Sequence, residues 1–132
     1  MRALSGHPSL QSVWLSGNHP PDQAAAGAAL GALVAANASA LRSLIVEDSA
    51  LGDAGMGPLL DALAQNTHLH SLYCSNTGMS EAFARGRFLP AIRANTSLHT
   101  LSASARWGGD EHGQAPAVVL EAEALVVARR GW

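Results

Sequence analysis

The chain has 132 residues, a single cysteine, no lysine and only 5% aromatic residues. Because Cys74 is alone, an intramolecular disulfide is excluded, and the chain fits a reducing compartment. Hydrophobic residues nevertheless make up 48% of the sequence. Small and branched aliphatic side chains must therefore fill the interior, which is long enough for one continuous core.

Charge is also scarce, at 14% of residues with a net charge of -2, and every cationic residue is arginine. Proteins that bind nucleic acid usually present a clustered basic face, so no nucleic-acid partner is expected. The Ala-rich composition without lysine is typical of translation from a GC-rich genome. It favours a bacterial source and does not bear on function.

No apolar run reaches the roughly 18 residues that a membrane span requires. The longest runs, 24–36 and 115–128, are interrupted by Gly or by Glu121 and Glu123. They predict helices of a soluble protein with no membrane partner. Residues 1–17 contain no apolar run typical of a signal peptide, so we expect cytoplasmic localisation, in the producing cell or in a host cell into which the protein is injected.

The sequence contains four similar segments, each with the pattern L-x-x-L-x-L or a close variant. They are LQSVWLSGN, LRSLIVEDS, LHSLYCSNT and LHTLSASAR, and their first leucines are Leu10, Leu41, Leu69 and Leu98. A Gly- and Ala-rich stretch follows each of the first three. Paired apolar residues there, four positions apart, predict one buried helix face; they are Leu30 and Val34, Leu59 and Leu63, and Phe88 and Ile92.

A strand and helix repeated at the spacing of these four leucines predict an α/β fold in which each unit buries its apolar surface against its neighbours. We expect one domain over residues 1–132, with repeats at about 7–37, 38–66, 67–95 and 96–115. A terminal helix at about 115–130 would cap the last repeat. The N-terminal edge strand has no comparable cap in the sequence, so either the chain belongs to a longer array or this strand pairs with another copy.

The segments at 7–106 resemble the leucine-rich repeat family, in its longer ribonuclease-inhibitor-like subclass. The resemblance implies a solenoid with a short curved parallel sheet on the concave side and helices on the convex side. Two departures matter. Ser49, Thr77 and Arg106 occupy a turn position where the family has Asn or Cys, whose side chain bonds the turn backbone. The hydroxyls of Ser49 and Thr77 should supply a weaker version of this bond, whereas Arg106 cannot, so we expect an altered fourth turn. Pro58 and Pro90 should delay or kink their helices.

Polar residues at the helix ends support the same alignment. Asp22, Asp53 and Glu81 fall at equivalent helix starts, where a carboxylate is favourable, and Ser80 is a candidate N-cap. The helices end at Asn37, Asn66 and Asn95, where we expect left-handed turns.

Alternation along each strand places three rows of side chains on the concave face. The rows are Ser12, Ser43, Ser71 and Thr100; Trp14, Ile45, Tyr73 and Ser102; and Ser16, Glu47, Ser75 and Ser104. Large apolar groups on an exposed sheet favour a binding face, although they could instead pack only against one another. The predicted protein-binding residues are Trp14, Ile45, Tyr73, Ser102, Arg42, Glu47, His70, Ser75 and His99.

No residue set predicts catalysis, a cofactor or a metal. His70 and His99 should lie about 5 Å apart on adjacent strands, but a zinc site needs three or four converging ligands, so a polar ladder of Gln11, Arg42, His70 and His99 is preferred. Cys74 falls at a core position and should be inert.

The resemblance implies protein recognition, as in ribonuclease inhibitors, innate immune sensors and bacterial effectors. We therefore expect a non-catalytic module that binds a protein on its concave sheet. Two alternatives remain open. The chain could be the substrate-recognition part of a larger effector or ubiquitin-ligase-type enzyme, or a structural protein that self-associates through its N-terminal edge strand.

Overall fold

A computed structural model describes residues 12–14, 22–35, 41–105, 107 and 114–130. Four three-residue strands occur: β1 (Ser12–Trp14), β2 (Ser43–Ile45), β3 (Ser71–Tyr73) and β4 (Thr100–Ser102). The helices are α1 (Gln23–Ala35), α2 (Gly52–Gln65), α3 (Glu81–Phe83), α4 (Leu89–Ala94) and α5 (Ala117–Arg130). A π-helical segment (Ala84–Phe88) joins α3 to α4.

The four strands form one parallel sheet in the order β1-β2-β3-β4, which is also their order along the chain. Parallel neighbours require a crossover connection, and a helical segment supplies it between each pair of strands. The predicted α/β class is therefore confirmed, with a strand and helix in every unit. The division of residues 1–132 into a single domain stays a prediction.

One hydrophobic cluster joins the sheet to the helices. Leu44 and Leu72 point into it from β2 and β3 and are fully buried. The helix face predicted from the sequence is also confirmed, because all six paired residues are buried: Leu30, Val34, Leu59, Leu63, Phe88 and Ile92. The sheet thus has a core face and an opposite face that carries the candidate site.

Helices α1 and α2 pack with their backbones in direct contact. A Cβ atom added at Gly27 would lie 1.9 Å from the carbonyl oxygen of Gly55, and one added at Gly31 would lie 2.8 Å from that of Pro58. Only glycine fits at such distances. The glycines of α1 therefore set the spacing between the first two units.

The asparagines that follow α2 and α4 correct one expectation. Asn66 and Asn95 have φ near -75° and ψ near 140°, so they are extended and do not form left-handed turns. Each is buried, and its side-chain oxygen accepts from the backbone amide three residues later, at Leu69 (2.6 Å) and Leu98 (2.9 Å). The side chain folds back onto its own loop because extended backbone leaves these amides without a local carbonyl partner.

The left-handed turns occur instead after the strands, at Asp48 (φ 60°) and Asn76 (φ 56°). Asn76 Nδ2 donates to Asp48 Oδ1 at 3.0 Å, which links one turn to the next. Thr77 Oγ1 donates to the carbonyl of Cys74 at 3.1 Å, so the predicted hydroxyl bond at this turn is confirmed. Arg106, where an altered turn was expected, lies outside the described residues.

The predictions for the helix starts agree with the structure better than the predictions for the two prolines do. Asp22 and Ser80 accept from amides three residues on, at 3.0 and 3.1 Å. This confirms Ser80 as the predicted N-cap, and Asp22, which was predicted only to place a carboxylate at a helix start, caps its helix as well. Helix α2 begins at Gly52 and continues through Pro58, so of the two effects expected of this proline the late start does not occur. A kink at Pro58 stays a prediction. Pro90 instead follows the π-helical segment, because it cannot donate to the carbonyl of Gly86 and its ring would crowd that group.

Helix α5 closes the sheet at β4, as the sequence predicted for a terminal helix. In the inner units the amides of Val46 and Cys74 donate to the carbonyls of the next strand, at 2.8 Å. At the equivalent position in the last unit, the amide of Ala103 donates to Glu123 Oε2 at 2.7 Å, and Ser104 donates to the same oxygen at 2.9 Å. The carboxylate of Glu123 therefore replaces the carbonyl of a following strand.

Arg129 performs the corresponding task at the helix end of the unit. Asn95 donates to the carbonyl of Leu63 at 2.8 Å, one unit earlier. The equivalent carbonyl in the next unit, Ile92, accepts from Arg129 Nη2 at 2.6 Å instead. Side chains of α5 thus satisfy backbone groups that another repeat would otherwise bind, which protects an edge that could pair with other chains.

Replacing Leu72 with Ala should lower the free energy of unfolding by about 2–5 kcal/mol, because the side chain is fully buried and its removal leaves a cavity. Tyr73→Ala should cost less, since Tyr73 is only half-buried on the opposite face. Denaturant unfolding of both variants measures the difference. The reverse order would contradict the assignment of the two sheet faces.

Glu123→Ala should destabilise the protein by about 1–3 kcal/mol, because it leaves the amides of Ala103 and Ser104 without their acceptor. Glu123→Gln should cost less because it keeps an oxygen acceptor. The matched control is Glu81→Ala, which removes an exposed carboxylate paired with Arg85 and should change stability by less than about 1 kcal/mol. Equal losses for Glu123→Ala and Glu81→Ala in urea unfolding would refute the capping role.

Candidate binding face of the sheet

The face of the sheet opposite the core, called here the outer face, carries side chains in straight rows across the strands. Ser43 pairs with Ser71, and Ser71 with Thr100; Ile45 pairs with Tyr73, and Tyr73 with Ser102. Strand β1 adds Ser12 and Trp14 to these rows in the same register. The first two rows predicted from the sequence are therefore confirmed in their register across the four strands.

The middle row is less exposed than a simple binding surface would be. Only 7% of the surface of Ile45 is exposed, so the prediction that it stands open on this face is wrong. Its position contributes to this, because Tyr73 flanks it in register at the close spacing of adjacent strands. Tyr73 and Ser102 are half-buried. The side chain of Trp14 lies outside what the structure describes.

The third row divides in a similar way. Ser75 is buried, contrary to expectation, and its hydroxyl lies 3.1 Å from that of Ser102. The two hydroxyls form a hydrogen bond with each other, so the Ser75 hydroxyl can be buried without losing a partner. Glu47 is partly exposed and places a carboxylate beyond the end of β2. Ser16, predicted for the same row, lies outside the described residues.

Three polar side chains immediately before the strands form what we call the basic row: Arg42, His70 and His99. All three are exposed, and the backbone amides of His70 and His99 each donate to the preceding member's carbonyl at 2.8 Å. The ring centroids of His70 and His99 lie 5.2 Å apart in an edge-on arrangement. This confirms the predicted separation of about 5 Å. Gln11, expected in the same ladder, lies outside the described residues.

A side-chain hydrogen bond links the first two members of the basic row. Arg42 Nη1 lies 3.2 Å from His70 Nε2. A guanidinium can only donate, so Nε2 of His70 must accept and the imidazole must be neutral in this arrangement. Burial lowers the pKa of His70 below its ordinary value of 6.5, and the positive charges of Arg42, His99 and His68 lower it further.

Half-buried His68 is a neighbour of the basic row that was not assigned to the site from the sequence. It precedes His70 by two positions, and its charge acts on His70. Its amide donates to Asn66 Oδ1 at 2.8 Å, which fixes the loop at this point. Ser97 occupies the same position in the next unit, and its amide donates to Asn95 Oδ1 in the same way, at 2.9 Å. The sequence signal that could have assigned His68 to the site was its place two residues before His70.

Carboxylates lie at the opposite ends of the strands. Asp48 Oδ1 accepts a hydrogen bond from the side-chain amide of Asn76, and Glu47 is the residue before Asp48. The outer face therefore has arginine and histidine where its strands begin and acid where its second strand ends. This separation of charge gives the face a polarity along the strand direction.

Cys74 lies on the core side, where the sequence predicted it. Its thiol is fully buried, and burial raises its pKa far above the ordinary value, with a further contribution from the carboxylates of Glu123 and Glu47. The thiol therefore stays protonated and out of reach of a substrate. Within the described ranges, no three His, Cys, Asp or Glu residues are grouped as metal ligands would be.

Comparison with known proteins gives a likeness in fold alone. No protein-family model matches the chain, and no curated protein matches it. Among solved structures, one described as "Leiomodin-1 Actin-Binding Site 2 (ABS2)" superposes with a TM-score of 0.68 at 13% sequence identity. The match covers 98% of this chain and 69% of that one. No helix of the described ranges has both the length and the apolar character needed to cross a membrane.

The lowered pKa of His70 predicts a pH dependence of stability. The folded state takes up this proton less readily than the unfolded chain, so stability is complete above about pH 6.5 and falls as the pH drops through 6.5 towards the lowered value. Urea unfolding between pH 5 and 8 gives the free energy of unfolding at each pH. The slope of this free energy against pH should correspond to the uptake of less than one proton on unfolding. His70→Gln should remove it, and Arg42→Gln should reduce it. A His70→Gln variant with the wild-type slope would disprove this assignment.

Proposed function

We propose that this chain is a leucine-rich repeat solenoid of the ribonuclease-inhibitor-like type, with four stacked units and α5 as its terminal cap. Repeats of 28 and 29 residues between equivalent strand positions support this, as does the in-register parallel sheet. The likeness in fold to the leiomodin structure adds support at the level of architecture. Its function is that of a non-catalytic module that binds a protein partner on the outer face.

One observation carries the proposal: Tyr73, half-buried, lies on the outer face between the basic row at the strand starts and the level of the carboxylates that follow the second strand. Every described helix packs into the core on the other face, together with Leu44 and Leu72. Tyrosine combines a large apolar ring with a hydroxyl, and such residues anchor protein interfaces more often than most. A partner that covered the face would meet this ring at its centre and charged groups at its rim.

The surrounding groups are suited to recognition more than to chemistry. The Ser75 hydroxyl is buried against that of Ser102, and the Cys74 thiol is buried and protonated. Nucleophilic catalysis requires an exposed nucleophile beside a base, and neither group meets that requirement. These contacts favour a binding module over an enzyme.

The partner is identified here only as a protein. The similar solved structure is named as an actin-binding site, and the present chain shares 13% identity with it. Actin is therefore one candidate to include in a binding experiment. The experiment should also be able to select a ligand without assuming in advance which protein it comes from.

Selection from a displayed library of random peptides, together with an actin co-sedimentation arm, tests the proposal. A ligand of the outer face should lose at least about tenfold in affinity on Tyr73→Ser, as expected for an interface anchor. Leu120→Ser is the matched control, because Leu120 is a 51% exposed apolar residue on α5. It should leave binding unchanged.

Thermal unfolding of both variants separates lost binding from lost folding. Ligands that are indifferent to Tyr73→Ser, or that depend on Leu120, would place the binding surface elsewhere and overturn the proposal. Binding of actin or a peptide that fails only in the Tyr73 variant, with its melting temperature retained, would support it.

A further inference from the structure

The basic row has a chemistry that the repeat pattern alone does not require. Arg42, His70 and His99 lie in line at successive strand starts, exposed and joined by one side-chain hydrogen bond and one ring contact. The charged and titratable groups that act on His70 are Arg42 beside β2, His99 beside β4 and His68 in the preceding loop. All of them carry, or can gain, positive charge.

The contact between Arg42 and His70 exists in only one protonation state. With Nε2 of His70 as the acceptor, the pair is satisfied. When His70 takes up a proton, that nitrogen becomes a donor and two cations face each other across 3.2 Å. The pair must then separate, or an acceptor that carries negative charge must join them.

A carboxylate is the group that resolves this conflict. It has two oxygens, so one can accept from the guanidinium and the other from the imidazolium, in charge-assisted hydrogen bonds. His99, whose ring centroid is 5.2 Å from that of His70, extends the same strip by one strand spacing. Acidic side chains on an extended peptide crossing the strands could meet successive members of the row.

We propose that the basic row is a proton-linked docking strip for an acidic segment of the protein partner, which it holds more tightly as His70 becomes protonated. This deepens the proposed function and rests on it, because the strip borders the face that carries Tyr73. Anion binding favours the protonated imidazole, and protonation in turn favours anion binding, since the two equilibria are linked. If one proton is taken up on binding, affinity rises by up to about tenfold per pH unit as the pH falls from the pKa of the bound state to the lower pKa of the free state, and then levels off.

The charge distribution favours an acidic peptide over a nucleic acid. Arg42 is the one permanent cation of the row, and the chain carries a net charge of -2. Glu47 and Asp48 lie at the other end of the second strand, where they would repel a polyanion that covered the whole face. A peptide that places a few carboxylates at the strand starts and other groups at the strand ends avoids this repulsion.

Titration with a capped tri-glutamate peptide, followed by the histidine ring signals in NMR spectra, tests the proposal at pH 5.5 and pH 7.5. A capped tri-glutamine peptide controls for charge, and a single-stranded oligonucleotide of equal charge tests the competing class of ligand. The glutamate side chains remain largely ionised at pH 5.5. We expect tri-glutamate to bind at least about fivefold more tightly at pH 5.5, to raise the pKa of His70, and to outcompete the oligonucleotide.

Two variants and a matched control locate the site. Arg42→Gln should weaken tri-glutamate binding at least about fivefold at both pH values, and His70→Gln should abolish the pH dependence. Arg85→Gln removes another exposed arginine, which pairs with Glu81 on the helical side of the fold, and should change neither the affinity nor its pH dependence. Binding without pH dependence, binding insensitive to Arg42→Gln, or stronger oligonucleotide binding would each overturn the inference.

The two proposals fail in different ways. Library-selected ligands that need Tyr73 but ignore both pH and Arg42→Gln would refute the docking strip and leave the binding face intact. Tri-glutamate that binds at the row while no protein or peptide depends on Tyr73 would refute the binding face instead. The melting temperature of each variant, measured at both pH values, excludes loss of folding as the cause.

Discussion

Hydrogen bonding from one unit to the carbonyl groups of its neighbour is the constraint on which this structure depends. A strand of three residues followed by one helix leaves helix-end carbonyls and edge amides unpaired, and buried groups of this kind are costly. Asn66 bonds the carbonyl of Val34 at 3.0 Å, and Asn95 bonds that of Leu63 at 2.8 Å. Each unit therefore completes the one before it, so the strands are held in register as the units stack.

The same constraint explains the end of the described stack and the shape of the candidate site. Glu123 and Arg129 supply from a helix what a further unit would supply from a strand and an asparagine. Because the units stack in register, equivalent residues line up across the outer face. Because of that alignment, Arg42, His70 and His99, which come from different units, form one continuous row in which each affects the electrostatic environment of the next.

Much of this arrangement could be read from spacing. The rows, the buried helix face and the separation of His70 and His99 follow from a nearly constant repeat length, because similar spacing places equivalent positions side by side. Burial within a row was harder to predict. Ile45 is only 7% exposed and has Tyr73 beside it in register on the adjacent strand, and Ser75 is buried with the hydroxyl of Ser102 beside it. Both outcomes depend on side chains from other repeats.

The sequence by itself determined the α/β class, the strand register, the core leucines and the terminal helix, since each depends on periodicity and on apolar residues within one segment. Only the tertiary structure decided that Asn66 is extended, that a π-helical segment precedes Pro90, and that Arg42 bonds a neutral His70. These features arise from contacts between groups in different units or from backbone accommodation to packing. Their geometry is a property of the assembled stack, because a local pattern specifies which residues recur but not which polar groups will meet.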